Sequence, residues 1–280
     1  MTTTLRPTGP ERRSAEGLRS RSYDICDNGR AVGALRLAAD PRSPVRAGRI
    51  EELAVDPAER RRGRATVAAL TAEEVLRGWG CKWAEISVSP GQDGAGQLTA
   101  ALGYAESGRS LRKPLAGGPP GLPPDSSARS LTRAEYPAWL AAWRAAFIRC
   151  WTERGGREAL AAALADETHR RLLPAGPASD GTALRVLVHD GTDVGTLWAA
   201  RGSELADAAV EGHVRAAEVA EGRRGEGHGR TLMLEAERVC HAAGVRTLGV
   251  RVRTGNTPAL RLTASLGYLP LAVHLTKPLS

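Results

Sequence analysis

Apolar and polar positions alternate along this chain in two rhythms, and the rhythms change at regular intervals. Two segments read as β-hairpins, each an apolar run, a Gly-containing turn and a second apolar run: Asn28 to Leu37 and Asp190 to Ala199, with Gly29 and Gly191 at the turns. Each is followed by a strand, a helix, a strand, a short helix and a final strand pair. In the second half these elements are expected at Val214–Val219, Gly229–Ala242, Thr247–Val252, Pro258–Leu266 and Leu269–Lys277. Strands alternating with helices predict an α/β architecture. A helical stretch from Thr132 to Leu173 precedes the second hairpin, with Trp139, Trp143, Phe147 and Trp151 four residues apart along one slowly drifting face. The first hairpin has about twenty residues ahead of it and is expected to lack those helices.

The pattern repeats because the sequence repeats. Val55, Arg60, Gly63, Leu70, Val75 and Gly80 recur 164 positions later as Val219, Arg224, Gly227, Leu234, Val239 and Gly244. The register holds through Leu102–Tyr104 against Leu266–Tyr268, and through Lys113–Leu115 against Lys277–Leu279. Residues 116–130, rich in Pro, Gly and Ser, have the composition of a linker. The expected organisation is therefore an N-terminal domain over 1–115, a linker over 116–130 and a C-terminal domain over 131–280. A length of 280 residues suits two domains.

Composition narrows the class. No segment approaches the roughly 20 apolar residues that span a bilayer, and the N-terminal residues lack the apolar core of a secretory signal, so a cytoplasmic protein without a membrane partner is expected. Cys26, Cys81, Cys150 and Cys240 are far apart and form no Cys/His cluster, so neither a metal site nor a disulfide framework is expected. The net charge of +8 comes almost wholly from arginine, with three lysines, Lys82, Lys113 and Lys277. The arginines are scattered and not interleaved with aromatics, which argues against nucleic acid and for an anionic cosubstrate.

The chemistry concentrates at two strand-to-helix junctions. Both read Arg-x-x-Gly-x-Gly/Ala: Arg224, Gly227 and Gly229 in one, Arg60, Gly63 and Ala65 in the other. Small residues admit close backbone approach. The first amides of a helix converge on an anion, and the helix dipole adds to the attraction. The site lacks the Lys-Ser/Thr of a P-loop and the glycine spacing of a dinucleotide fingerprint.

Taken in order, the Arg-x-x-Gly-x-Gly/Ala loop, the amphipathic helix, the next strand, Asn256-x-x-Ala259 and Leu266-Gly267-Tyr268 resemble the GNAT superfamily of N-acetyltransferases. The resemblance covers about residue 131 to the end, and about 19–115, where Gln92 stands at the Asn position. It implies two tandem GNAT folds, each a mixed, mostly antiparallel twisted sheet with flanking helices and a split between central parallel strands. It implies acetyl-CoA as cosubstrate, with Val219, Ala220 and Glu221 aligning its pantetheine. Arg224, Gly225, Glu226, Gly227, His228, Gly229 and Arg230 would cradle the pyrophosphate, with Arg223 adding charge, and Asn256 would contact the cofactor arm. Val55 to Pro57 and Arg60 to Thr66, Gly63 and Ala65 included, are the first-copy counterparts.

The expected reaction is transfer of acetyl from acetyl-CoA to a primary amine of a small molecule, with the second copy as the working site. A mycothiol-synthase-like or peptide acceptor, and a non-catalytic CoA-binding role, are the alternatives. Amine deprotonation calls for a base, and Glu211, His213 and Glu218 are the candidates, with Glu218 nearest the loop. Glu51 and Glu52 occupy the same region of the first copy. The tyrosine acid common in the family is replaced by Thr263 and Thr99. Tyr268 and Tyr104 are expected to pack in the core.

Overall fold

The computed structural model describes residues 2–14, 17–40, 44–92, 94–153, 156–202 and 210–279. In chain order the elements are β1 (Thr3–Pro7), β2 (Arg12–Arg13), β3 (Arg19–Asp27), β4 (Arg30–Ala39), β5 (Ala47–Val55), α1 (Arg64–Gly78), β6 (Trp83–Val88), α2 (Ala95–Ala101), β7 (Ala105–Pro114), β8 (Ser126–Ser130), α3 (Tyr136–Thr152), α4 (Glu158–Leu172), β9 (Thr182–His189), β10 (Thr192–Arg201), β11 (Gly212–Val219), α5 (His228–Ala242), β12 (Thr247–Arg253), α6 (Thr257–Ser265) and β13 (Leu269–Pro278). The mixed α/β architecture with a mostly antiparallel sheet is the one the strand and helix rhythm implies.

The chain forms two compact units. One is Met1–Gly108 together with Ala272–Ser280, the other Arg109–Leu271. The division falls at 108/109 and 271/272, whereas the sequence repeat points to 115 and 131. The reason is that the last strand of each repeat is given to the other unit. In the first unit the strand order is β1-β3-β4-β5-β6-β13, and in the second it is β7-β12-β11-β10-β9-β8. Within the expected linker, Ser126–Ser130 forms β8, which pairs antiparallel with β9.

The same polar device closes each exchanged strand onto its helix. Lys113 of β7 donates to both carboxylate oxygens of Glu237 on α5, at 2.7 and 2.8 Å. Lys277 of β13 does the same to Glu73 on α1, at 3.0 and 2.8 Å. Both glutamates are buried, and Lys113 and Lys277 stand 5.7 Å from the ring centres of Tyr268 and Tyr104. A buried carboxylate needs such a partner, because an unpaired charge in a low-dielectric interior is costly.

The first unit has one core cluster, built on Ile25, Leu35, Leu37, Ile50, Ala68, Ala72 and Leu76 between the sheet and α1. Its strands show single-sided burial: along β4, Val32, Leu35 and Leu37 are buried while Ala34 is exposed and Arg36 half-exposed. The second unit has two clusters. Leu187, Val194, Leu197, Leu232, Ala236 and Leu248 lie on the α5 side. On the opposite face Trp139, Trp143, Ala165, Leu184, Val186 and Trp198 pack under α3 and α4. The predicted helical stretch is thus two helices. A capping box opens α3: Thr132 N–H donates to Glu135 at 2.8 Å and Glu135 N–H to the Thr132 hydroxyl at 3.2 Å. Trp198 meets Trp139 and Trp143 edge-on, at 5.8 and 5.4 Å between ring centres.

Candidate functional site

The site begins where two strands part. In the second unit β11 and β12 run parallel and pair at Gly212–Leu248, His213–Gly249 and Val214–Val250, and then the pairing ends. On its other side β11 stays paired with β10 as far as Val219, with a register shift that leaves Arg215 as the extra residue. The shift bends β11 away from β12. Ala220 N–H donates to Val194 of β10 at 3.0 Å. Alternation along the strand therefore turns the Val219 N–H and C=O toward the split. This is the backbone edge expected to align a pantetheine, together with Ala220 and with Glu221, which opens a short 3₁₀ turn.

The loop from Arg224 to Arg230 follows. Gly225 and Gly227 have φ of 87° and 91°, a region glycine enters freely, and Gly227 caps α5 without using a side chain. The first amides of α5 have no carbonyl ahead of them, so the 15-residue helix presents N–H groups and its positive end to the loop. A Cβ on Gly229 would meet Leu262 at 3.5 Å, an ordinary contact, so packing alone does not require glycine there. Glu226 brings a negative charge into this loop, but Arg223 holds it at 2.8 Å and His228 at 3.2 Å. The hydrogen bond from Arg223 lowers the Glu226 carboxyl below its ordinary range, with His228 adding to it. His228 is buried against His189, 4.9 Å between ring centres. Arg230 reaches Ser265 at 2.7 Å. The Asn256 side-chain oxygen caps α6 by accepting from Ala259 N–H at 3.2 Å. The donor-rich, small-residue cradle fits a pyrophosphate, and the open strand edge beside it fits an amide-bearing arm.

The three catalytic candidates do not meet. Glu218 lies on the split part of β11. Its neighbour but one, Ala216, packs against the cluster under α3, so Glu218 points to that same face. Glu218 is an exposed residue, yet the surrounding protein raises its carboxyl above the ordinary range, opposed by the charges of Arg149 and then Arg224. His213 is buried in the paired part of β11 beside Gly249. Five residues of strand separate it from Glu218, about 16 Å. Glu211 is engaged by Arg246 through its backbone and guanidinium. Thr263 is buried, and its hydroxyl donates to Ala259 and Leu260 carbonyls at 2.9 and 3.1 Å. Tyr268 is also buried, and burial and the Glu237 charge both raise its phenol. Neither hydroxyl faces the split.

Sequence reasoning missed a stack between α3 and the end of β12. Phe147 and Trp151 of α3 stack at 6.4 Å, and the Arg253 guanidinium, at the free end of β12, lies 5.0 Å over the Phe147 ring. The four-residue aromatic spacing was visible, but not which strand it faces.

The first unit carries the counterpart in altered form. Pairing of β5 with β6 also stops, after Ile50–Ile86. Arg60 donates to the Val55 carbonyl at 2.9 Å, so this group is taken by the protein itself. Arg61 stands where the second unit has Gly225 and is held at φ 61°. Gly63 caps α1 at φ 76°. Arg64 is buried against Asp27 and Glu59, and Ala65 packs on the core. Gln92 accepts from Ser89 N–H at 3.2 Å and leaves α2 without a side-chain cap. Glu52 is exposed at φ 54° in a strand irregularity, 3.9 Å from Arg36.

Among the described residues no group of three or more His, Cys, Asp or Glu could hold a metal ion, and no helix is long and apolar enough to cross a membrane. No curated protein sequence matches the chain. Solved structures share its fold. A GCN5-related N-acetyltransferase from Sphaerobacter thermophilus is 19% identical, with TM-score 0.60 over 92% of this chain and 80% of that one. One from Kribbella flavida is 16% identical, with TM-score 0.51 over 89% and 88%. A tandem GNAT protein from the clavulanic acid biosynthesis pathway is 23% identical, with TM-score 0.49 over 94% and 84%. The family described as Acetyltransferase (GNAT) matches residues 3–104 and again 136–268, once over each repeat. With split strands and an amide-rich helix start in both matched regions, this chain belongs to the GNAT acetyltransferase family as a tandem member.

Proposed function

We propose that the chain transfers an acetyl group from acetyl-CoA to a primary amine of a small molecule, and that the second unit carries the reaction. The observation that supports this reading is the succession, in that unit, of the Glu218 carboxylate, a free strand edge at Val219 and a glycine-lined helix start at Gly225–Gly229. The family uses acetyl-CoA generally and acts on amine acceptors.

The residues divide the work as follows. The α5 amides, with Arg224 and Arg230, hold the phosphates. Val219 and its neighbours align the arm by backbone hydrogen bonds. Glu218 takes a proton from the acceptor ammonium, which is protonated at neutral pH. The amine nitrogen then attacks the thioester carbon, the C–S bond breaks, and the products are an amide and CoA. The Thr263 hydroxyl is committed to its own helix and Tyr268 is in the core, so the departing thiolate takes its proton from water or from the amine. The test is thiol release from acetyl-CoA with a panel of amines, for the wild type and Glu218→Gln. Turnover that Glu218→Gln lowers about a hundredfold supports the reading. Absence of turnover, or full activity in Glu218→Gln, overturns it.

A further inference from the structure

A buried imidazole stands inside the glycine loop of the second unit. Within Arg224–Arg230 the buried side chain is that of His228, the first residue of α5. It packs on His189, the last residue of β9, with 4.9 Å between ring centres. The His189 ring is itself held: Nδ1 lies 3.0 Å from the Ser126 hydroxyl of β8, and Nε2 lies 3.5 Å from the Asp190 carboxylate. His228 Nε2 also lies 3.2 Å from Glu226, which Arg223 of the preceding 3₁₀ turn bonds at 2.8 Å. The first unit repeats these contacts with the charges exchanged. Glu59 and Arg62 stand 164 positions before Arg223 and Glu226, and they pair at 3.2 Å. Arg64 stands 164 positions before His228, is likewise buried at the first position of its helix, and bonds Asp27 and Glu59. Asp27 faces Arg30 across the first hairpin as His189 faces Thr192 across the second. The exchange has a consequence. In the first unit the cation of the pair lies in the loop and the acid in the turn before it. In the second unit the acid lies in the loop, between Gly225 and Gly227.

A carboxylate in that place opposes the work proposed for the loop. The first amides of α5 and the helix dipole attract an anion, whereas a loose carboxylate beside them repels it. Glycines on both sides of Glu226 leave the backbone free to turn it either way. Its direction is therefore set by its two side-chain partners, Arg223 and His228. His228 can serve only while its ring is fixed, and His189, bonded to Ser126, packs against it. We infer, on the reading that the second unit binds acetyl-CoA, that His228 is a positioning residue: backed by His189, its imidazole holds Glu226 aside so that the loop amides meet the pyrophosphate. The imidazole is thus a support for the loop and not a ligand of the phosphates.

The experiment compares acetyl-CoA with S-acetylpantetheine, which carries the same thioester and arm without the pyrophosphate. Calorimetry on the full chain gives acetyl-CoA affinity, and thiol release with the amine that turns over fastest gives kcat/KM for both donors. His228→Leu keeps an apolar side chain against His189 but cannot bond Glu226, and His189→Ala removes the support behind the ring. Each is expected to weaken acetyl-CoA binding about tenfold or more, with a loss of under about threefold for S-acetylpantetheine. Adding Glu226→Gln to either variant is expected to restore acetyl-CoA affinity to within about threefold of wild type, a rescue that a merely structural role would not show. Glu226→Gln alone is expected to bind at least as tightly as wild type. His189 is half-buried, so its variant carries the test if His228→Leu fails to fold. Wild-type affinity in His189→Ala, equal losses with the two donors, or no rescue by Glu226→Gln overturns this inference and leaves the acetyltransferase standing. Acetyl-CoA binding without turnover overturns the catalytic reading alone, and the Glu226→Gln rescue, read by calorimetry, still decides the inference. A wild-type chain that binds no acetyl-CoA overturns both.

Discussion

Compare β4 with β10, the second strands of the two hairpins. In β10 the run Leu197, Trp198, Ala199, Ala200 is buried without a break, as in a strand covered on both faces. In β4, burial lapses at Ala34 and Arg36. Trp198 and Arg36 occupy equivalent places, three residues after Gly195 and Gly33, which pair with Val219 and Val55. Trp198 sits under α3, whereas Arg36 bonds Glu51 at 3.0 Å, on the face of β4 opposite the core residues Leu35 and Leu37 that pack with α1. The same sheet thus serves two ends. With helices over that face, the second unit buries Trp198 beneath the aromatic side chains of α3. Without them the equivalent surface carries solvated ion pairs, which contribute little.

Truncation at these two positions is the strongest way to break the comparison. Trp198→Ala removes a fully buried indole from between Trp139 and Trp143 and is expected to cost about 3–5 kcal/mol. Arg36→Ala removes a surface pair and is expected to cost under about 1 kcal/mol. Urea denaturation of the full chain measures both. Equal losses would mean that the first unit's face is covered after all.

The cofactor loops separate the units next. Gly227→Asp and Gly63→Asp impose similar backbone strain, at φ 91° and 76°, so their effects on folding are matched. Their effects on acetyl-CoA should differ. Gly227→Asp sets a carboxylate against the phosphates in the loop proposed to bind them and is expected to weaken binding at least a hundredfold. Gly63→Asp falls in a loop whose Val55 carbonyl is occupied by Arg60 and whose helix start holds the buried Arg64, and is expected to change affinity less than threefold. Calorimetry decides between them. Binding abolished only by Gly63→Asp would move the working site to the first unit.

Much of this division was legible because it rests on local periodicity. The 164-residue repeat marked both hairpins and both helix starts, and Glu73 and Glu237 obey the same offset. The strand exchange was not legible, and the repeat itself is the reason. Lys113 and Lys277 lie in the same Lys-Pro-Leu context and meet equivalent glutamates, so the sequence accommodates either partner. β8 was hidden for another reason: Ser-Ser-Ala-Arg-Ser has no apolar alternation and forms an edge by backbone pairing and polar side-chain bonds, such as Arg129 with Asp193 at 2.6 Å. Among site residues, the glycines declared themselves through spacing. Arg253 did not, because a scattered arginine acquires meaning only from the ring that tertiary packing puts beside it. The same limit applied to His213, whose imidazole type suggested base chemistry while its burial in the paired strands sets it apart from Glu218.

Acidity sharpens the contrast between Glu218 and Glu52. Burial raises the folded-state Glu218 carboxyl, so the folded chain holds that proton more tightly than the unfolded chain does. Two consequences have opposite sign. As pH falls through the raised value, the base is lost and kcat/KM declines. As pH rises through it, ionisation of Glu218 removes stability. Glu218→Gln is therefore expected to remove the Glu218 titration from the acid limb of the rate profile, leaving only that of the acceptor amine. Glu52→Gln is expected to leave the profile unchanged. A Glu218→Gln profile identical to the wild type in both rate and acid limb would mean that another group is the base.

The smallest expected effect belongs to the paired threonines. Thr263 and Thr99 are both buried, and both donate to carbonyls three and four residues earlier in their own helices. Those carbonyls belong to helical turns already bonded along the backbone, so removing either hydroxyl is expected to cost about 1 kcal/mol of stability or less. If neither hydroxyl meets the thioester, Thr263→Ala changes kcat less than tenfold, under about 1.4 kcal/mol of barrier, and Thr99→Ala leaves it unchanged. Tyr268 cannot stand in, because its phenol is buried beside Glu237 and its pKa is raised, away from neutral titration. The CoA thiol, with a pKa of about 8.5 if it resembles cysteine, is a tolerable leaving group without a partner. The rate should therefore rise with pH to a plateau with no alkaline fall. An alkaline limb that Tyr268→Phe removes would make the core tyrosine the acid. A several-hundredfold loss in Thr263→Ala would show that the hydroxyl leaves its helix to reach the sulfur, and the second unit would then differ from the first in its chemistry as well as in its cover.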